Sequence, residues 1–288
     1  VYNTDMSKNS NGARIKVSIN GFGRIGRAFL KVAWEKPEIE IVAVNDLGSV
    51  ENMAYLLKYD TVYGKWSHPV RAISNGTGEN YIEIGGKKIK VLTEKEPSKL
   101  PWKDLNVDVV VESTGLFASY DKAKAHLDAG AKKVVISAPA NDSAEALLPP
   151  SVVSKASVFG ETILLGVNEE KFGTCDITSN ASCTTNAASP LIAILDETLG
   201  IEKAILNTVH GYTASQEIVD GPNKKDFREG RAAAQNIVPS STGAAIAVTK
   251  AFTKLSGLFD GISMRVPVPA GSIVDITFVS KKDTTAKE

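Results

Sequence analysis

Short runs of β-branched residues alternate with amphipathic segments of helix length between residues 15 and 140. The run at 15–20 predicts a buried strand, residues 24–36 predict a helix that ends before Pro37, and residues 39–46 predict the next strand. A strand–helix–strand repeat of this kind is typical of parallel α/β domains. The alternation therefore restricts this half of the chain to a fold with a parallel sheet.

The same patterns extend the prediction along the chain. Further elements of the first half are a helix at 49–59, a hairpin at 81–84 and 88–92 around Gly85 and Gly86, a strand at 107–112, a helix at 120–129 and a strand at 133–137. Residues 141–161 include Pro149 and Pro150 and show no sustained period, so we expect an excursion there. The second half contributes a helix from Cys183 to about 198, a strand at 204–209, a polar loop at 211–235, a helix at about 243–254, and strands at 262–266 and 273–279.

The first predicted strand is followed directly by Gly21, Gly23 and Gly26 in the spacing GxGxxG, which opens the first helix. In this context Gly21 allows a tight turn, Gly23 lets a pyrophosphate approach the backbone, and Gly26 lets the helix pack closely on the sheet. Asp46 ends the second predicted strand, where a carboxylate binds ribose hydroxyls and repels a 2′-phosphate. This pattern predicts a dinucleotide site that prefers NAD, the alternative being that the glycines form only a turn and that Asp46 caps the next helix.

Cys183 follows small polar residues and precedes an apolar run, so we expect it at or near a helix N-terminus. Unpaired N–H groups and the helix dipole favour a thiolate there, which makes Cys183 a candidate nucleophile. Its partner must exchange protons near neutral pH, and the chain has three histidines. His68 in a loop and His126 within a helix fit ordinary structural positions, whereas His210 ends a predicted strand and is the leading candidate base.

Several residues in the second half carry groups that suit phosphate. They are Thr213, Ser215, Ser241, Thr242, Gly243 and Arg265. Hydroxyls, a helix N-terminus and a guanidinium form a donor set for oxyanions. Each also has an ordinary interpretation, Thr242 as a helix cap and Arg265 as a surface ion-pair residue, so phosphate binding stays one of two open interpretations.

The overall composition limits the class of protein. Lysine plus arginine equals aspartate plus glutamate at 33 each, which gives no bulk attraction to nucleic acid or to an anionic membrane. The two cysteines match neither a disulfide framework nor a zinc pattern, and no apolar stretch approaches the ~20 residues of a membrane span. We therefore expect a cytoplasmic protein without a metal site, and a chain of 288 residues is expected to form two domains.

Several segments in this order make the sequence resemble the phosphorylating glyceraldehyde-3-phosphate dehydrogenase family. They are the residues at 20–26 (NGFGRIG), 56–60 (LLKYD), 112–115 (ESTG), 137–139 (SAP), 179–186 (SNASCTTN), 210–213 (HGYT), 241–245 (STGAA) and 265–267 (RVP). The resemblance implies an α/β fold with an N-terminal Rossmann-type doubly wound sheet at 15–181, followed by an α+β catalytic domain with a mixed sheet at 182–288. It also implies further strands and a helix beyond Glu288, so we expect an incomplete catalytic domain.

The resemblance also assigns roles to individual residues. Cys183 would be the nucleophile and His210 the residue that activates it. The cofactor set would be Gly21, Gly23, Arg24, Ile25, Gly26, Asp46, Thr114 and Ser137. The set around the substrate phosphate and the attacking phosphate would be Ser182, Thr184, Thr213, Ser215, Thr242, Gly243 and Arg265.

The implied function is NAD-dependent conversion of glyceraldehyde 3-phosphate and inorganic phosphate to 1,3-bisphosphoglycerate through a cysteine thioester, in a homotetramer. Two alternatives stay open from the sequence. One is a dehydrogenase for another phosphorylated aldehyde such as erythrose 4-phosphate. The other is a non-catalytic NAD-binding or scaffold chain, which the end of the sequence at Glu288 suggests.

Overall fold

The computed structural model describes residues 14–75, 78–140, 160–224, 226–285 and 287. They form two compact units. One contains the described residues through Glu161 together with Lys171–Asn180, and the other contains Thr162–Glu170 and the described residues from Ala181 onward. Most of the predicted excursion, residues 141–159, lies outside the described residues, while Gly160 and Glu161 begin a short strand.

The first unit is built on a nine-stranded sheet. Its strands are β1 (Ile15–Asn20), β2 (Ile39–Asn45), β5 (Val70–Ser74), β6 (Asn80–Ile84), β7 (Lys87–Leu92), β8 (Val109–Glu112), β9 (Lys133–Ile136), β10 (Gly160–Thr162) and β11 (Ile177–Ser179), in the order β10-β11-β9-β8-β1-β2-β7-β6-β5. A separate short hairpin joins β3 (Tyr59–Asp60) and β4 (Gly64–Lys65). The helices are α1 (Arg24–Trp34), α2 (Val50–Lys58) and α3 (Tyr120–Asp128).

Strand β1 lies at the centre of this sheet. It pairs in parallel with β2 on one side and with β8 on the other, so the chain proceeds outward in both directions from β1. Its last four residues are buried, as expected for a strand covered on both faces. The arrangement is a doubly wound α/β sheet, and the crevice for a ligand in such a sheet lies beyond the carboxyl ends of the strands at this point of reversal.

The second unit has a four-stranded mixed sheet with helices on one face. The strands are β12 (Ile201–Gly211), β13 (Val238–Ser241), β14 (Phe259–Val266) and β15 (Ser272–Ser280), in the order β13-β14-β12-β15. The helices α4 (Cys183–Thr198) and α5 (Ala244–Ala251) bury Ile192 and Val248 against Leu206 and Phe259 of the sheet. The predicted α/β class with a mixed second sheet is therefore confirmed.

Some predicted boundaries were wrong. The first helix ends at Trp34 rather than Lys36, and α5 ends at Ala251 and is followed by a separate 3-10 turn at Thr253–Leu255. The strands β3, β4, β5, β10, β11 and β13 were not predicted. Within the described part of the chain, no helix combines the length and hydropathy needed to cross a lipid bilayer.

Candidate active site

Cys183 is the first residue of α4. The chain reaches it through Ala181, which has a left-handed backbone with φ of 58°, a conformation that costs a residue with a side chain about 1–2 kcal/mol. Ser182 then caps the helix, because its Oγ accepts a hydrogen bond of 3.0 Å from the N–H of Thr185. The exposed thiol of Cys183 consequently lies at the positive end of the α4 dipole, as the sequence predicted.

His210 stands beside this thiol. Its Nε2 atom is 3.3 Å from Sγ of Cys183. His210 lies in β12, and the parallel register of β12 with β14 places it directly beside Arg265. Nη1 of Arg265 is 2.6 Å from Nδ1 of His210 and 3.3 Å from the carbonyl oxygen of Gly211. The sheet pairing thus brings the nucleophile, the imidazole and a guanidinium into one contact chain.

The two neighbours of His210 Nδ1 favour different tautomers. The carbonyl oxygen of Gly211, at 2.6 Å, can only accept a hydrogen bond, whereas the guanidinium of Arg265 can only donate one. With its proton on Nδ1, the ring donates to Gly211 and turns the lone pair of Nε2 toward Sγ, ready to take the thiol proton. With its lone pair on Nδ1, the ring accepts from Arg265 and presents Nε2–H to the sulfur. The site can therefore support both the thiol and the thiolate forms of Cys183.

The hydroxyls predicted to bind phosphate occupy separate local structures in the same unit. The hydroxyls of Thr213 and Ser215 are exposed and lie 3.0 Å apart. The hydroxyl of Thr242 accepts a hydrogen bond of 3.1 Å from the N–H of Ala244, and Gly243 is the N-cap of α5. Thr242 thus precedes the N-cap and accepts from the first N–H of α5, and its hydroxyl proton can still be donated to an anion.

A cavity of about 460 Å³ opens in the first unit at the carboxyl ends of β1, β2 and β8. Its volume falls in the range of roughly 300–1,000 Å³ typical of small-molecule sites. It is lined by Asn20, Gly21, Gly23, Asn45, Asp46, Leu47, Glu94, Lys95, Ser113, Thr114, Leu116 and Phe117. This is the crevice expected at the point where a doubly wound sheet reverses direction.

The glycine turn beside this cavity has the geometry that a dinucleotide requires. A Cβ atom on Gly21, whose φ is 92°, would lie 2.6 Å from the backbone of Ser113, and one on Gly26 would lie 2.2 Å from the carbonyl oxygen of Gly21. Gly23 faces open space and caps α1 without a side-chain hydrogen bond, so the first N–H groups of that helix are free for an anion. The chain thus has a close-packed turn and an open phosphate approach, which fit NAD.

Comparison with known proteins agrees with the features of both units. The family model for the NAD binding domain of glyceraldehyde 3-phosphate dehydrogenase matches residues 15–120, and the model for its C-terminal domain matches residues 182–288. The chain belongs to the glyceraldehyde-3-phosphate dehydrogenase family.

Individual members of the family share nearly half of the sequence. The chain is 47% identical over 281 residues to the glyceraldehyde-3-phosphate dehydrogenase of Mycobacterium avium, covering 95% of the chain and 77% of the relative. It is 46% identical over 275 residues to that of Eremothecium gossypii, covering 95% and 76%. It is also 46% identical over 274 residues to a chloroplastic glyceraldehyde-3-phosphate dehydrogenase of Arabidopsis thaliana, covering 94% and 60%.

Within this family fold, the predicted cofactor residues occupy different positions around the cavity. Gly21, Gly23, Asp46 and Thr114 line it. Oδ2 of Asp46 accepts a hydrogen bond of 2.7 Å from the N–H of Phe22, and Oδ1 accepts one of 3.0 Å from Gly48. Each oxygen keeps a lone pair for a ribose hydroxyl. The alternative of Asp46 as a helix cap was wrong, because Oγ of Ser49 caps α2.

The other predicted cofactor residues are not among those lining the cavity. Gly26 packs beneath the turn, and the hydroxyl of Ser137 donates to the carbonyl oxygen of Glu112 at 3.0 Å. Arg24 and Ile25 line a smaller cavity of about 80 Å³, together with Asp60 and Tyr63. Arg27 lines the same small cavity. Its partial burial lowers the pKa of the guanidinium, although the nearby carboxylate of Asp60 acts in the opposite direction.

Sequence reasoning missed several polar residues of the large cavity. Asn20 and Asn45 end β1 and β2, and their amides are joined by a hydrogen bond of 2.7 Å from Nδ2 of Asn45 to Oδ1 of Asn20. The side chain of Asn45 also holds the backbone of Glu94. Its Nδ2 donates to the carbonyl oxygen of Glu94, and its Oδ1 accepts from the N–H of Glu94. A signal was present, since polar residues at the carboxyl ends of adjacent parallel strands meet at one edge of the sheet.

Proposed function

We propose that this chain catalyses the NAD-dependent oxidation and phosphorylation of glyceraldehyde 3-phosphate to 1,3-bisphosphoglycerate, the reaction of glycolysis and gluconeogenesis that its family name describes. The observation that carries the proposal is the contact of 3.3 Å between Sγ of Cys183 and Nε2 of His210 at the N-terminus of α4. A thiol at a helix N-terminus with an imidazole in contact is an activated nucleophile.

The first step forms a covalent bond to the aldehyde. Nε2 of His210 takes the thiol proton of Cys183, and the sulfur attacks the carbonyl carbon. The resulting oxyanion accepts hydrogen bonds from Nε2–H of His210 and from the backbone N–H of Cys183. His210 then returns its proton to that oxygen, which leaves a neutral hemithioacetal on Cys183.

The second step oxidises this intermediate. When bound, NAD supplies the two-electron acceptor for the hydride on the former aldehyde carbon. His210 removes the hydroxyl proton as the C–H bond breaks, so a thioester remains on Cys183 and the imidazole is positively charged.

The third step releases the product. An oxygen of inorganic phosphate attacks the thioester carbon, the C–S bond breaks, and the proton of the phosphate passes to solvent. The thiolate of Cys183 leaves beside the charged imidazole of His210 and takes its proton, which restores the thiol and the neutral imidazole.

We assign the phosphate groups to the second unit. The proposed set is Ser182, Thr184, Thr213, Ser215, Thr242, Gly243 and Arg265. The half-buried guanidinium of Arg265 supports this assignment, because its Nε atom is buried without a partner among the described residues and can donate to an anion. We assign the cofactor to the domain at 15–181, through the predicted set Gly21, Gly23, Arg24, Ile25, Gly26, Asp46, Thr114 and Ser137, and catalysis to the domain at 182–288.

The test is an absorbance assay for NADH with the chain, glyceraldehyde 3-phosphate, NAD and phosphate. We expect NADH formation that depends on all three reactants, and we expect Cys183→Ser to lower kcat/KM by at least about 10³-fold. Erythrose 4-phosphate serves as the comparison substrate, with a lower expected kcat/KM. Absence of NADH with the unaltered chain, or full activity of Cys183→Ser, would refute the proposal.

We further propose a homotetramer in the cytoplasm. The face of the second sheet opposite α4 and α5 exposes Ile205, Ile262, Ile273 and Val279. Phe227, which lies between β12 and β13, is 91% exposed. Apolar surface of this extent is typical of contact with other chains, and the symmetric copies of an oligomer can cover it. The two free cysteines, Cys175 and Cys183, agree with a reducing compartment.

A further inference from the structure

His126 is fully buried in the first unit, on the inner face of α3. The mechanism above makes no use of it. Its Nδ1 atom lies 3.0 Å from the indole Nε1 of Trp102, and its Nε2 atom lies 3.0 Å from Oε2 of Glu112. Both partners are at most 2% exposed. Three polar side chains therefore form a sequestered network next to the cofactor cavity.

The hydrogen bonds of this network run in one direction. An indole N–H can only donate, so Nδ1 of His126 must accept and the ring must carry its proton on Nε2. That proton points to Glu112, so the contact is a hydrogen bond from a neutral ring to a carboxylate. A His126 ring protonated on both nitrogens would point Nδ1–H at the indole N–H of Trp102. The geometry therefore excludes that form.

Glu112 is the common acceptor of the whole network. Nδ2 of Asn20 donates to Oε2 at 2.6 Å, and both the N–H and the hydroxyl of Thr114 donate to Oε1. With His126, four neutral donors surround one buried carboxylate. The amide of Asn20 cannot be reversed alone, because its Oδ1 already accepts from Nδ2 of Asn45.

The network holds the wall of the cofactor cavity. Asn20 and Thr114 both line that cavity, and each is fixed by Glu112. Because its proton is committed to Glu112 and it accepts at 3.0 Å from the N–H of Leu116, the Thr114 hydroxyl can offer a ligand only a lone pair. Phe117, another lining residue, packs its ring edge to face against His126 at 6.4 Å.

We propose that His126 and Glu112 are positioning residues for NAD, which act through Asn20 and Thr114 and do not touch the cofactor themselves. The proposal rests on the assignment of the cavity to NAD. Loss of the hydrogen bond from His126 leaves Glu112 short of one donor, so its carboxylate shifts and takes Thr114 and Asn20 with it. The cofactor then meets a wall that is no longer preorganised.

The test compares His126→Leu with His126→Gln by calorimetric titration of NAD. Both variants lose the ring contact with Phe117 and have similar volumes, but only glutamine can accept from Trp102 and donate to Glu112. We expect His126→Leu to raise the dissociation constant for NAD by about tenfold, the scale of one lost hydrogen bond to a buried charge. We expect His126→Gln to stay within about threefold of the unaltered chain, with the kcat at saturating NAD little changed in both.

Val134→Ala is the matched control, because Val134 is a buried residue packed under α3 outside the network. It should lower the melting temperature without changing the affinity for NAD. Equal affinities of His126→Leu and His126→Gln, or an equal loss in Val134→Ala, would overturn the proposal. Failure of the unaltered chain to bind NAD would instead contradict the proposed function.

A milder variant covers the case in which His126→Leu does not fold. Trp102→Phe keeps an aromatic ring and removes the indole donor, which frees His126 to change tautomer. We expect a two- to threefold weaker affinity for NAD, a smaller effect because the carboxylate keeps its donors in one of the two tautomers. An unchanged affinity in Trp102→Phe would contradict the directional network.

Discussion

At the scale of single residues, the proposed chemistry depends on the immediate surroundings of the sulfur of Cys183. The thiol is exposed, it begins α4, and Nε2 of His210 is 3.3 Å away. Sequence patterns predicted both residues, because a cysteine before an apolar helix and a histidine at a strand end are local features. The contact between Arg265 and Nδ1 of His210 depends on the parallel register of β12 and β14, which no local pattern encodes.

Replacing His210 by asparagine tests the role of the imidazole. We expect His210→Asn to lower kcat by about 10²–10⁴-fold, the usual contribution of a general base, and to slow alkylation of Cys183 by iodoacetamide at pH 7. Steady-state NADH formation and mass-spectrometric labelling rates measure the two effects.

The control for this variant is His68→Asn. His68 Nε2 contacts Glu35 on the surface at 2.8 Å, away from both cavities, and this change should leave both rates within twofold. Equal rates for the His210 and His68 variants would show that His210 is not the base.

Asp60 provides a pH-dependent contribution to stability. The N–H of Tyr63 lowers the pKa of Asp60, partial burial opposes this effect, and the N–H of Val62 with nearby Arg24 and Lys31 lowers the pKa further. A carboxyl group whose pKa is depressed by folding stabilises the protein above its unfolded pKa of about 3.9, and this stability disappears as the pH falls through the folded pKa.

Asp60→Asn should therefore unfold at lower urea concentration than the unaltered chain at pH 7. The difference between the two proteins should shrink as the pH is lowered from about 4 toward 2, because the carboxyl group is then protonated in both states. Urea titrations at several pH values measure this difference. A difference that grows on acidification would contradict the sign.

At the scale of elements, the turn between β1 and α1 combines two different requirements for glycine. Gly26 has no room for a Cβ atom, whereas Gly23 has open space around it. The first is a packing constraint, and the second fits the proposed approach of a ligand to the backbone. The packing role of Gly26 was predicted correctly, because the motif combines a strand, a turn and a helix within a dozen residues.

Two alanine substitutions separate these roles. Gly26→Ala should destabilise the chain by about 2 kcal/mol or more, since its Cβ would overlap the carbonyl oxygen of Gly21. Gly23→Ala should keep the melting temperature within a few degrees and weaken NAD binding, because the methyl group would occupy the approach to the helix N-terminus. Thermal melting and calorimetric NAD titration distinguish the two. Unchanged affinity in Gly23→Ala would contradict the cofactor assignment at this turn.

Other elements were less predictable for physical reasons. Strand β13 contains Pro239 and two serines, which resemble a loop in sequence, and its position at the edge of the second sheet tolerates a residue without an N–H group. The network around His126 was missed because a histidine inside a helix gives no local sign of its burial. Its partners Trp102 and Glu112 come from a separate loop and strand, so only the tertiary packing shows the network.

At the scale of the whole molecule, the exposed apolar face of the second sheet supports assembly. We expect light scattering to give the mass of four chains, and we expect Ile273→Asp to shift the distribution toward smaller species, because a charge would be buried in the contact. Ile273 is 68% exposed in the single chain.

Val32→Asp is the matched control for the assembly, since Val32 is 66% exposed on α1 and lies outside the proposed contact face. Its mass distribution should match that of the unaltered chain. A monomeric unaltered chain, or an equal shift in both variants, would contradict assembly through the sheet face.

Detection of the covalent intermediate on Cys183 tests the proposed reaction most directly. The chain is incubated with glyceraldehyde 3-phosphate and NAD without inorganic phosphate, quenched in acid, digested and analysed by mass spectrometry. We expect an acyl group on the peptide that contains Cys183, formed together with NADH and lost when phosphate is added before the quench. NADH formation without any adduct on Cys183, or with the acyl group on another residue, would contradict the proposed reaction.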